Sequence, residues 1–131
     1  MKHNNISTVD IMACVTRQRA CERLIKRALS LKEDGQSIGV VHVARTGDDL
    51  LGNPIEGDAL DILFTVAKAN GAQMHMLRSD HVIETLIEFA VENDVKIIVL
   101  GESREYKGSI KGLVDRLTGE LPEVEIHVVP A

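Results

Sequence analysis

The chain has 131 residues, enough for one domain with a core of its own. Its hydrophobic fraction of 44% and charged fraction of 27% are those of a soluble globular protein, and its only aromatics are Phe64, Phe89 and Tyr106. The core must therefore be aliphatic, and a base-stacking platform for single-stranded nucleic acid is argued against. A net charge of −5 leaves no electrostatic footprint for DNA or an anionic membrane surface.

Strand and helix patterns then alternate along the chain. "VDIMACV" (9–15) is a short apolar run that reads as a buried strand. "ACERLIKRALSLKEDG" follows, with Ala20, Leu24, Ile25, Ala28 and Leu29 at helical spacing and Gly35 as a natural stop. Ser37 to Ala44 is a second strand. The long connection from Arg45 to Gly57 carries turn-forming glycine and proline, and is read either as a functional loop or as a tolerated insertion. A second helix is expected from about Asp58 to Asn70, closed by Asn70-Gly71, and a third strand over Ala72–Leu77. "SDHVIETLIEFAVEND" predicts a third helix capped by Ser79 or Asp80, with Val82, Ile83, Leu86, Ile87, Ala90 and Val91 on its apolar face. Val95–Leu100 is a fourth strand, "SIKGLVDRLTG" a short fourth helix ending at Gly119, and Val124–Val129 a fifth strand.

Near-continuous apolar strands separated by amphipathic helices predict an α/β protein with a parallel sheet covered on both faces, doubly wound by right-handed crossovers. No linker or repeat interrupts the pattern, so residues 1–131 are expected to form a single domain. Cys14 and Cys21 lack metal-ligand spacing and read as buried reduced thiols. No apolar run approaches the ~18 residues of a membrane span, and "MKHNNISTVD" lacks the apolar core of a signal peptide, so the expected location is cytoplasmic.

In open α/β sheets the ligand crevice lies outside the carboxyl ends of the strands. The loops and helix starts expected there carry Arg17, Arg19, Arg45, Arg78, Arg104, Lys107 and Lys111, seven of the fifteen lysines and arginines. The opposite edge carries Glu33, Asp34, Glu92, Asp94, Glu120 and Glu123. An acidic protein that gathers cations at its ligand edge, where helix N-termini add partial positive charge, points to an anionic small ligand. The segment "GESREYKGSIKG" after the fourth strand is neither a P-loop nor a Rossmann fingerprint, since Gly101 and Gly108 are wrongly spaced and no lysine precedes Ser109. His3, His42, His75, His81 and His127 show no metal spacing, and His42, His75 and His127 read as packed within strands. No nucleophile and base can be paired, so the chain is not expected to be an enzyme.

The stretches "CERLIKRALSLK", "VVHV", "VIETLIEFAVENDVKIIVLGESR" and "GLVDRL…EIHVVP" carry a resemblance to the universal stress protein (UspA-type) domain over about Val9 to Pro130. The likeness is sharpest to the version in KdpD-type potassium-sensor histidine kinases. The resemblance implies a five-stranded parallel sheet of order 3-2-1-4-5, of the adenine-nucleotide alpha-hydrolase-like kind. It implies a signalling or stress-response module, binding of ATP or AMP at the ends of strands one and four, and a homodimer through the last strand, Val124–Val129. Carried over by position, the nucleotide-binding residues are Thr16, Arg17, Val43, Leu100, Gly101, Ser103, Arg104, Gly112 and Leu113. Thr16 stands where ATP-binding members have an aspartate, Arg104 where they have a second glycine, and Lys111-Gly112 where they have the phosphate-holding Gly-Ser. The motifs of cyclic-di-AMP receptors are not matched, so that ligand is the less favoured one. The alternative reading is a ligand-free dimerisation or interaction module that regulates a kinase or transporter.

Overall fold

The computed structural model describes residues 9–15, 18–44, 64–101 and 110–130. The chain order is β1 (Ile11–Cys14), α1 (Gln18–Leu31), β2 (Ile38–Ala44), helical residues 64–69 (α2), β3 (Gln73–Arg78), α3 (Val82–Glu92), β4 (Ile97–Gly101), α4 (Ile110–Glu120) and β5 (Glu125–Val129). The five strands form one parallel sheet in the order β3-β2-β1-β4-β5, as the resemblance implied.

β1 lies at the centre, with Ile11–Cys14 pairing in register with Ile38–Val41 on one side and Ile97–Leu100 on the other. All four of its side chains are buried. A strand covered on both faces cannot alternate apolar with polar, and this is why its sequence reads as an unbroken apolar run. Asp10 gathers the strand starts. Its carboxylate accepts from the Ser37 N–H at 2.9 Å, and its carbonyl accepts from the Lys96 and Ile97 N–H groups at 2.8 and 3.1 Å.

The side-chain alternation of the sheet divides the core in two. On one face Ile11, Ala13, Val15, Ile38, Val40 and Val99 pack under Leu24, Ile25 and Ala28 of α1 and Ala67 of α2. On the other, Met12, Cys14, Val41, Ile98 and Leu100 pack under Leu86, Phe89 and Ala90 of α3 and Leu113 and Leu117 of α4. Gly39 is required at its place in β2, because a Cβ there would lie 2.8 Å from Val9 Cγ1.

Several details differ from the expectation. The strands are shorter at their entering ends than the apolar runs, since packing extends beyond the ladder: Val9 and Val95 are buried but lie outside β1 and β4. α1 ends at Leu31, and Gly35, at φ +84°, closes a turn beyond it. α3 is preceded by His81 at the N-cap, not Ser79 or Asp80; the Ser79 hydroxyl accepts from the His81 N–H at 3.0 Å. Val91 is 63% exposed and Phe89 takes its place in the core, because each helical step turns about 100° and carries Val91 past the face set by Leu86 and Ala90. Both α2 and α3 close with paired backbone bonds around a left-handed residue. Ala72 and Gly71 donate to Ala67 and Lys68 after α2, and Val95 and Asp94 donate to Ala90 and Val91 after α3. Gly71 fits that conformation (φ +71°), whereas Asp94 holds it as a non-glycine at φ +53°.

Candidate functional site

α1 leaves β1 onto one face of the sheet and α4 leaves β4 onto the other, so the adjacent strands β1 and β4 feed helices on opposite sides. This is the topological switch point at which open α/β sheets hold their ligands. The starts of α1 at Gln18 and α4 at Ile110 both follow from this edge, and helix starts attract anions.

Leu100 stands beside Cys14 in the β1–β4 register, and Gly101 is the next residue of β4. Leu100 is fully buried and Leu113 nearly so, which leaves backbone rather than side chain to face the crevice at Leu100. A Cβ on Gly101 would lie 3.4 Å from Leu24 Cδ2, ordinary contact, so packing does not itself demand glycine there. Val43 is half-buried near the exit of β2 against the α3–α4 face. Gly112 is exposed in the first turn of α4. Thr16, Arg17, Ser103 and Arg104 lie outside the described residues, as do Arg45, Lys107 and the connection 45–57. Of the expected cationic edge, Arg78 is seen as the exposed last residue of β3.

Sequence reasoning placed His42 within its strand as a packed residue and gave it no part in the site. It is 5% exposed, and its Nδ1 lies 2.7 Å from the carbonyl oxygen of Val15, the residue at which β1 runs out towards the crevice. Burial pushes its pKa below the ordinary value of 6.5; the Val15 carbonyl pulls it up, and the nearby Arg78 charge pushes it down. The available signal was a lone polar residue near the exit end of an otherwise apolar strand. Cys14 is buried, and desolvation pushes its thiol up to about 12, so it is inert as a nucleophile at neutral pH. The described residues contain no group of three or more His, Cys, Asp or Glu able to hold a metal ion.

A cleft of about 620 Å³ opens on the other edge of the sheet, lined by Glu33, Glu123 and Glu125 with Lys96 among them. It lies where the strands begin, within the acidic edge, and is separate from the switch point.

The same sheet order and near-complete coverage are found in solved structures. The fold is that of the universal stress proteins. A universal stress protein in complex with cAMP matches with a TM-score of 0.57 and 16% identity, covering 95% of this chain and 98% of that one. The hypothetical protein MJ0577 matches with a TM-score of 0.63 and 13% identity over 96% of this chain and 98% of its own. A universal stress protein from Archaeoglobus fulgidus matches at 0.51 and 15% identity, covering 95% and 98%. In sequence, this universal stress protein-like chain is similar to the sensor protein KdpD of two Mycobacterium tuberculosis strains, CDC 1551 / Oshkosh and ATCC 25618 / H37Rv. Each is 29% identical over 123 residues, 91% of the chain. The chain spans 14% of the length of those relatives. No family model matches it. No helix among the described residues is long and apolar enough to cross a membrane.

Proposed function

We propose that the chain is a cytoplasmic signalling module that binds an adenine nucleotide or a related anion at the exits of β1 and β4, and works by binding rather than by turnover. The observation that carries this reading is the switch point itself. Two central strands end side by side, two helices start from that edge, and by sequence seven of the fifteen lysines and arginines of an acidic chain fall in the segments that follow the strands. The universal stress protein fold in complex with cAMP supports the choice of an adenine nucleotide. ATP and AMP are the first candidates and cyclic-di-AMP the less favoured one. Arg104 and Gly112, standing in for a glycine and a hydroxyl of the family's phosphate loop, keep charge for an anion while altering its cradle.

Calorimetry of the full chain with ATP, AMP, cAMP and cyclic-di-AMP is the test. Saturable heat with one of them is expected; no heat and no thermal shift at millimolar ligand would overturn the reading.

A second reading is favoured by β5. It forms the edge of the sheet, with Ile126 and Val128 half-buried, and no further strand among the described residues pairs with it. An edge strand with apolar side chains invites pairing. On this reading the chain is a homodimer through Val124–Val129 that acts on a kinase or transporter, and its similarity to KdpD sensor proteins supports such a setting.

A further inference from the structure

His42 is the buried side chain of charged or polar type in the core of the described residues, and its Nδ1 meets a backbone atom. The Val15 N–H donates to the Val41 carbonyl at 2.8 Å, which carries β1–β2 pairing one residue past the strand. The Val15 carbonyl is then met by a side chain, the His42 ring at 2.7 Å. A carbonyl only accepts, so Nδ1 carries the proton in this contact. The strand's last described residue is thus held from both its N–H and its carbonyl by β2. Three residues further on, Gln18 begins α1. His42 also shares its face of the sheet with Arg78, since β2 and β3 pair His42 with Met76 and Ala44 with Arg78. The end of β1, the imidazole and a cation of the crevice edge are therefore neighbours on one face.

We propose that His42 is a positioning residue of the anion crevice: by donating from Nδ1 to the Val15 carbonyl it fixes the direction in which the chain leaves β1 and so the start of α1. This rests on the anion-binding reading above for its ligand, but the held strand end is measurable without one. The pairing also explains the residue type. A leucine would fill the volume but leave the Val15 carbonyl without its donor, and asparagine places an amide N–H near the position of Nδ1.

The test uses the full chain as wild type, His42→Leu and His42→Asn, each first shown to be folded by circular dichroism, with two readouts. Amide exchange at Val15 and Gln18, compared with core amides such as Val99, reports the strand end. ATP titration reports the crevice. The expected result is selectively faster exchange at Val15 and Gln18 in His42→Leu, ATP binding weakened about tenfold, and recovery of both in His42→Asn. Uniform acceleration across the core, or unchanged exchange at Val15, would overturn the proposal, as would unchanged ATP affinity beside loosened exchange. Wild type that binds none of ATP, AMP, cAMP and cyclic-di-AMP would overturn the nucleotide reading and the crevice role together, while the exchange data would still decide whether His42 holds the strand end.

Discussion

The two histidines of the sheet interior give the protein a direction of pH sensitivity. Burial pushes the pKa of His42 and of His75 below the ordinary value of 6.5, and His75 packs edge-on against Phe89 with ring centroids 4.9 Å apart. A base whose folded pKa is depressed takes up its proton more readily when unfolded. The stability due to these neutral rings is therefore complete above about pH 6.5 and is lost as the pH falls from there towards the folded values. Denaturant midpoints measured from pH 8 to pH 5 should be level at the alkaline end and decline below 6.5. Replacing both histidines by apolar residues should flatten that decline. The histidines also mark where sequence reading stopped at this scale. That His42 is packed inside its strand was legible, because a polar residue in an apolar run of strand length has few alternatives. That its ring reaches the Val15 carbonyl was not, because the contact depends on the β1–β2 register, which no local pattern encodes.

At the scale of elements, the periodicities located every described strand and helix, and what they missed were boundaries and one face. Apolar runs report burial, and burial outlasts hydrogen bonding at Val9 and Val95. Val91 was misplaced because the core face of α3 is set by Leu86, Phe89 and Ala90, and one further step of about 100° turns Val91 away from it. The end of α3 holds a strained residue that can be relieved. Asp94 sits at φ +53°, a left-handed conformation that costs a side-chain-bearing residue roughly 1 kcal/mol relative to glycine. Its carboxylate pairs with Lys96 at 2.8 Å, but both groups are exposed and such pairs contribute little. Asp94→Gly should therefore stabilise the fold by up to about 1 kcal/mol, read as a higher midpoint in chemical denaturation. A lower midpoint would show that the ion pair outweighs the backbone strain.

At the scale of the whole molecule, the described charges differ between the two ends of the strands. Glu33, Asp34, Asp94, Glu120 and Glu123 surround the entering edge, and the opposite edge carries Arg78 together with the cations that the sequence assigns to the loops there. The fold class was legible from the alternation of apolar strands and amphipathic helices. The strand order came from the resemblance, since periodicity does not say which strands are neighbours. The site was legible only as an edge, because several of its expected residues, Thr16, Arg17, Ser103 and Arg104, lie outside the described segments. Association belongs to this scale as well. If β5 is the dimer edge, Val128→Lys should turn a dimer seen by light scattering into a monomer with an unchanged circular dichroism spectrum; a persisting dimer would place the interface elsewhere. The central position of β1 has a consequence for how the chain reaches this structure. Its partners are β2, nearby in sequence, and β4, beyond the greater part of the chain. During synthesis one side of this four-residue apolar strand stays uncovered until β4 has emerged. The sheet therefore closes late, through distant contacts of the kind that make folding slow and expose unpaired strand edges to aggregation in the meantime.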